Sequence, residues 1–239
     1  MDLYNLLKER FVKIAAPMMG ETIQVISART LSPEEAIGKP ERKDYPILKG
    51  KEVMIEATFR GAGGQAFTDM PGNFQGSLRN LIDLNLNDNF ERAVFIAGFN
   101  AVMRYYGYIS NTVHCKDDGP KRCAEQLPAF IAERFGKPKI AFIGYQPAMI
   151  QALSSLFSLR VIDLDKDNIG ARRFGIVIES PDKTEEALLW ADMIMATGST
   201  SVNNTISSFL DNKPVIFYGV TIAGIAALQD YKRYCPHSG

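Results

Sequence analysis

The chain has 239 residues, of which 46% are hydrophobic and 23% charged, and its 27 Lys plus Arg balance 27 Asp plus Glu. These proportions belong to a folded globular protein and exclude a disordered, collagen-like or coiled-coil chain. Zero net charge removes the basic excess that phosphate neutralisation would need, so no nucleic-acid partner is expected.

The start, Met1-Asp2-Leu3-Tyr4, lacks the basic opening and apolar core of a signal peptide, and the expected location is the cytoplasm. Leu3, Leu6, Leu7, Phe11 and Ile14 recur at helical spacing, with Pro17 and Gly20 as the stop. Thr22 to Thr30 is rich in β-branched residues and predicts a strand. The polar stretch carrying Pro33, Pro40 and Pro46 predicts a long surface loop. Val53 to Phe59 is the next strand. Gly61-Ala62-Gly63-Gly64 turns the chain towards a short strand at Gln65 to Thr68. Helices are expected at Phe74 to Leu84 and at Phe90 to Tyr106, the second opened by Asn87-Asp88 and closed by Gly107.

From Lys139 the pattern changes to alternating strands and helices. Strands are expected at Lys139–Gly144, Leu159–Asp163, Phe174–Glu179, Met193–Thr197 and Val215–Tyr218. Helices follow Pro147 and span Thr184–Trp190, Ser201–Leu210 and Ile222–Gln229. That order predicts a doubly wound parallel sheet. The most apolar run, Val215 to Leu228, is broken by Gly219, Thr221 and Gly224, so no membrane span is expected. The fold class is therefore α/β, with an α+β domain over residues 1–108, a junction over 109–137 and a parallel-sheet domain over 138–239.

Open parallel sheets bind ligands outside the carboxyl ends of their strands. Three such ends are small and polar here: Gly144-Tyr145-Gln146, Thr197-Gly198-Ser199-Thr200 and Tyr218-Gly219-Val220-Thr221. Glycine permits close approach and hydroxyls supply hydrogen bonds, so the three together predict a pocket. Helix N-termini at these corners would offer free N–H groups to anions or polar atoms. The first corner lacks the later glycines of a dinucleotide fingerprint, although Asp163 stands where a ribose-binding acid would sit. No Walker loop occurs. Asn100, in an almost wholly apolar helix, must be hydrogen-bonded if buried, either to backbone of the other domain or to a cleft ligand.

All three Cys and both His fall in two short segments, His114-Cys115 with Cys123, and Cys235-Pro236-His237. Thiolate and imidazole suit zinc, nickel or cobalt. Asp117 adds an oxygen donor, and the segments would converge if the chain end folds back onto the junction. Against this, the spacing matches no structural zinc motif, and free cysteines are often small core residues.

Ala97-Gly98-Phe99-Asn100-Ala101, His114 to Ala124, Phe142 to Pro147, Ala191 to Thr205 and Tyr218 to Gly224 together resemble the DUF364 family, labelled "putative heavy-metal chelation". The similarity covers nearly the whole chain, and Thr197 to Thr205 is its most specific block. The resemblance implies an enolase-N-terminal-like domain followed by a Rossmann-like domain, with a cleft between them. It places Gly144, Thr197, Gly198, Ser199, Asn203 and Thr221 in that cleft and makes Cys115 and Asp117 candidates. Gly119 stands where the family tends to carry an acid before proline.

The expected ligand residues are thus Asn100, Gly144, Tyr145, Asp163, Thr197, Gly198, Ser199, Thr200, Asn203 and Thr221. The expected metal residues are His114, Cys115, Asp117 and Cys123, with Cys235 and His237 as further candidates. Three functions fit: binding of a soft or borderline divalent metal or metal-bound ligand, an enzyme acting on a small heterocyclic or nucleotide-like substrate, or a non-catalytic regulatory protein. No carboxylate pair for acid–base work is evident, and a chain of this size is compatible with a homodimer.

Overall fold

A computed structural model of the chain describes residues 3–16, 25–210 and 213–239. Helix α1 (Leu3–Ala15) buries Tyr4, Leu7, Phe11 and Ala15 along one stripe, the spacing read from the sequence. Its expected stop at Pro17 and Gly20 lies outside the described residues, as do Thr22 to Gln24 of the first strand. Strand β1 (Val25–Leu31) is followed by helix α2 (Pro33–Ile37), and Pro46–Lys49 form a 3-10 turn. The expected long loop is therefore corrected. Ser32 and Glu35 make a reciprocal capping box, and Ile37, Tyr45 and Ile47 are buried.

Strands β2 (Val53–Phe59) and β3 (Ala62–Thr68) form a hairpin that turns at Arg60 and Gly61, both at positive φ. Gly63 and Gly64 belong to the strand rather than to the turn. Strand β4 (Asn73–Ser77) and helix α3 (Leu78–Ile82) replace the single helix expected over Phe74–Leu84. Phe74 to Ser77 pair with β1, which overrides their helical spacing, and Ser77 caps the short helix that remains. The four strands lie in the order β3-β2-β1-β4, all antiparallel.

Helix α4 (Asn89–Tyr105) starts at Asp88, whose carboxylate accepts from the Glu91 N–H at 2.8 Å. Every residue from Ala93 to Met103 is buried, because α4 lies between the two sheets. A Cβ on Gly64 would overlap the backbone of Ala97 and Ala101, so only glycine lets α4 lie this close to β3. Gly64→Ala is expected to destabilise the protein by about 2–4 kcal/mol, read as a lower urea midpoint with an unchanged slope.

The junction holds a helix that the sequence reading did not place, α5 (Gly119–Phe135). Cys123, Leu127 and Ile131 carry its buried face at i, i+4 spacing; Pro128 in the helix interior obscured that pattern. Next come β5 (Ile140–Ile143), α6 (Pro147–Ser154), β6 (Leu159–Ile162), β7 (Arg172–Arg173), β8 (Ile176–Glu179), α7 (Thr184–Trp190) and β9 (Met193–Thr197). The helix expected over Ser201–Leu210 is instead the single turn α8 (Ser199–Val202) and a 3-10 turn at Ile206–Phe209. Strand β10 (Val215–Tyr218), helix α9 (Ala223–Gln229) and an unforeseen strand β11 (Lys232–Tyr234) complete the chain.

The second sheet runs β11-β10-β9-β5-β6-β8-β7, parallel except for the β7–β8 hairpin. From β5 the chain moves outward to β6 and β8, then returns to β9 on the other side of β5. This reversal makes the carboxyl ends of β5 and β9 the topological switch point. Residues alternate across the sheet: Phe142, Val161, Met195 and Ile216 pack with α5 and α6, while Ala141, Ile143, Ile194 and Phe217 join the core around α4. The fold class is mixed α/β, as expected. Among the described residues no helix is long and apolar enough to cross a membrane.

Candidate functional site

The switch point opens into one cavity of about 630 Å³, a size suited to a small organic ligand. The carboxyl ends of the parallel strands supply Gly144, Tyr145, Gln146, Asp163, Thr197, Ser199, Tyr218 and Thr221. The antiparallel side supplies Lys51 and Glu52, just before β2, and Phe67, Thr68 and Asp69 from β3 and its end. His114, Cys115, Cys123 and Cys235 also line it.

The corners touch one another. Gly144 has φ +94°, and a Cβ there would stand 2.8 Å from Thr197 Cγ2 and 3.0 Å from the Tyr218 hydroxyl. Tyr218 donates to the Ile143 carbonyl at 3.0 Å, and burial pushes its phenol well above the usual range. Thr197 Oγ1 donates to Ser199 Oγ at 3.3 Å and accepts from the Ser199 N–H at 3.3 Å. Thr200 donates back to the Thr197 carbonyl at 2.8 Å.

The helix N-termini at these corners, expected to suit anions or polar atoms, are partly occupied by the chain itself. Gln146 Oε1 already accepts from the Met149 N–H at 2.7 Å, and α8 is a single turn. The lining is rich in acids, with Glu52, Asp69, Asp163 and Asp165 beside the cation Lys51. Lys51 is committed to Asp167 and to Asp165 at 3.7 Å, which fastens the rim between the two sheets.

Glu52 and Asp163 are a carboxylate pair that the sequence reading did not find. Burial pushes the Glu52 carboxyl up to about 7, and the neighbouring Asp163 charge adds to the effect. Burial raises Asp163 as well, opposed by hydrogen bonds from Asn168 Nδ2 at 3.0 Å and from the Asp165 N–H at 2.9 Å. Asp163 is thus a fixed acceptor, and Glu52 is the group that changes charge near neutrality. An acid before a strand looks like a solvated strand end; only the tertiary approach of β2 to β6 reveals this pair.

Two of the expected ligand residues lie elsewhere. Asn100 is fully buried and saturated by backbone. Its Nδ2 donates to the carbonyls of Gln65 at 3.1 Å, Thr221 at 3.2 Å and Val220 at 3.3 Å, and its Oδ1 accepts from the Gly224 N–H at 2.8 Å. It joins the two sheets and offers nothing to a ligand. Gly198 lies behind the cavity wall, where a Cβ would stand 2.7 Å from the Ile222 nitrogen. Thr221 lines the cavity, but its hydroxyl accepts from the Phe67 N–H at 3.0 Å. Asn203 lines it too, with its Oδ1 accepting from Asn89 at 3.3 Å.

The chain end does fold back onto the junction. Gly239 and Val113 exchange both backbone hydrogen bonds, at 2.8 and 2.9 Å, and the Tyr234 hydroxyl donates to the Cys123 carbonyl at 2.6 Å. Even so, among the described residues no three His, Cys, Asp or Glu groups are arranged to hold a metal ion. Asp117 points away, accepting from the Lys39 N–H at 2.9 Å. His114 Nδ1 lies 2.6 Å from the Cys115 carbonyl, and burial lowers its pKa, so the ring is neutral. His237 Nε2 lies 3.1 Å from Gln126 Oε1. What remains is a thiol wall. Cys115 and Cys123 share a hydrogen bond that holds Cys123 down and pushes Cys115 well up; the His237 backbone N–H and the Arg122 charge also favour the Cys123 thiolate.

The DUF364 family model, described as "Putative heavy-metal chelation", matches residues 129–232. The resemblance read from the sequence therefore holds over that segment, while Ala97–Ala101 and His114–Ala124 lie before it. A DUF364 protein of unknown function from Pyrococcus horikoshii has a similar structure, with 17% identity, a TM-score of 0.55, and cover of 92% of this chain and 79% of that one. Another from Desulfitobacterium hafniense DCB-2 has 13% identity, a TM-score of 0.52, and cover of 74% and 72%. At these identities the likeness carries the fold alone. No curated protein matches.

Proposed function

We propose that this chain binds a small polar molecule in the cleft between its two sheets. The observation that carries the reading is the cavity at the switch point, walled by both sheets and left open rather than packed with side chains. That openness also argues against a cleft serving only as a structural interface. The acidic lining disfavours a free phosphate or carboxylate and suits a ligand that presents N–H donors to Asp163 and Glu52. A metal would enter as part of such a ligand, since the nearby donors do not make a three-ligand cage. In that form the heavy-metal label and the cleft describe one activity.

A second reading, proton transfer on the bound molecule, is favoured by one observation. Glu52 titrates near neutrality beside an anchored carboxylate, the condition for general acid–base work.

Thermal-shift measurements with pterins, flavins, nucleotides and S-adenosylmethionine, each with and without zinc, nickel or cobalt, test the proposal. At least one class should raise the melting temperature of the parent protein and leave Ser199→Phe, which plugs the cleft, unmoved. A ligand at 100 times its Kd adds about 2.7 kcal/mol, a readily measured shift. No response to any class, or an equal response from the plugged variant, would count against it.

A further inference from the structure

Nothing in the ligand reading uses the thiol wall. Cys115 lies four residues before Gly119, the first residue of α5, and its side chain occupies the space that Gly119 leaves free. A Cβ on Gly119 would stand 2.6 Å from Cys115 Cβ and 3.1 Å from its Sγ. Cys123 lies four residues after Gly119, one helical turn along the same face. The two sulfurs are therefore neighbours by construction of the helix start, and both line the cleft. Neither is tied into a disulfide. Cys235 reaches the same wall from the chain's last segment.

We propose that Cys115 and Cys123 form a reversible disulfide on the cleft wall, a redox site that reacts with hydroperoxides. The Cys123 thiolate attacks one peroxide oxygen. The O–O bond breaks, leaving a sulfenic acid on Cys123 and a hydroxide that takes up a proton to become water. Cys115 then attacks the Cys123 sulfur, loses its proton, and the S–O bond breaks to release a second water as the S–S bond forms. Two thiols and one hydrogen peroxide thus give one disulfide and two waters, and a dithiol reverses the change. The attacking role falls to Cys123, whose sulfur accepts from the His237 backbone N–H, and the resolving role to Cys115, whose side chain packs against Gly119 at the helix start. The inference is independent of which molecule the cleft holds.

The test is peptide mapping of the full chain after treatment with hydrogen peroxide and then alkylation. The expected product is a Cys115–Cys123 link that dithiothreitol removes, with Cys235 still alkylated. In Cys115→Ser, dimedone should label Cys123; in Cys123→Ser, neither a link nor a dimedone adduct on Cys115 should form. The parent protein decides the matter even if a variant folds poorly. Both thiols remaining fully alkylatable in the folded protein, or a link that joins Cys235 to Cys123 instead, would overturn the proposal.

Discussion

Asn100→Ala is expected to destabilise the protein by about 3–5 kcal/mol, a large share of the stability of a chain this size. The substitution leaves the Gly224 N–H without its acceptor and takes the amide donor from the Gln65 and Thr221 carbonyls in the gap between the sheets, while the Val220 carbonyl keeps the Ala223 N–H at 3.0 Å. Each buried group left without a partner costs about 1–3 kcal/mol, and their relaxation is limited because α4 is packed on all sides. Asn100→Asp should be worse. It keeps the acceptor for Gly224 but turns a second acceptor, charged and buried, towards three carbonyl oxygens. Urea unfolding measures the alanine variant; the aspartate variant is expected to yield little folded protein. A loss below about 1 kcal/mol for Asn100→Ala would mean that the two sheets do not depend on this amide.

Glu52→Gln is expected to stabilise the protein at high pH and to leave it unchanged at low pH. The carboxyl titrates near 7 in the fold and near 4.5 when free, so the folded chain holds the proton more tightly. Between those values the folded state binds more protons than the unfolded one, and stability falls as pH rises. Above pH 7 the ionised group costs up to about 3 kcal/mol, which glutamine removes. Unfolding curves of parent and variant should therefore converge near pH 4 and separate by about 2–3 kcal/mol at pH 8. Curves that stay parallel across that range would place Glu52 in water rather than in the cleft. Should the cleft turn out to be a reaction centre, the same substitution would also abolish the limb of the pH–rate profile near 7.

The parallel sheet was legible because its signals are local. Ile140 to Ile143 and Met193 to Thr197 are short apolar runs that end in glycine, and that ending both marks a buried strand and clears its carboxyl edge. The corners at Gly144, Thr197 and Tyr218 could be read for the same reason. Where local spacing met tertiary pairing, spacing misled. Phe74 to Ser77 carry a helical pattern yet join β1, because an exposed backbone edge was available to them. Asn100 offered two readings that sequence could not separate, since its partners lie in β3, in the loop after β10 and at the start of α9. Glu52 was missed altogether. Nothing in Lys51-Glu52-Val53 distinguishes a solvated strand end from a buried carboxyl that feels the Asp163 charge, and the difference is made by a segment that lies far along the chain. The cysteines were read as a cluster that was either a metal site or small core residues; the structure brings Cys115 and Cys123 together, turns Asp117 to the Lys39 N–H, and shows no three-donor group among the described residues.

A crystallographic fragment soak tests the cleft most directly. Polar heterocyclic fragments should collect at the carboxyl ends of β5 and β9, with N–H groups on Asp163 or Glu52 and rings against Phe67 and Tyr145. Fragments that settle only on other surfaces, or a cavity closed by its own side chains in the crystal, would contradict the account.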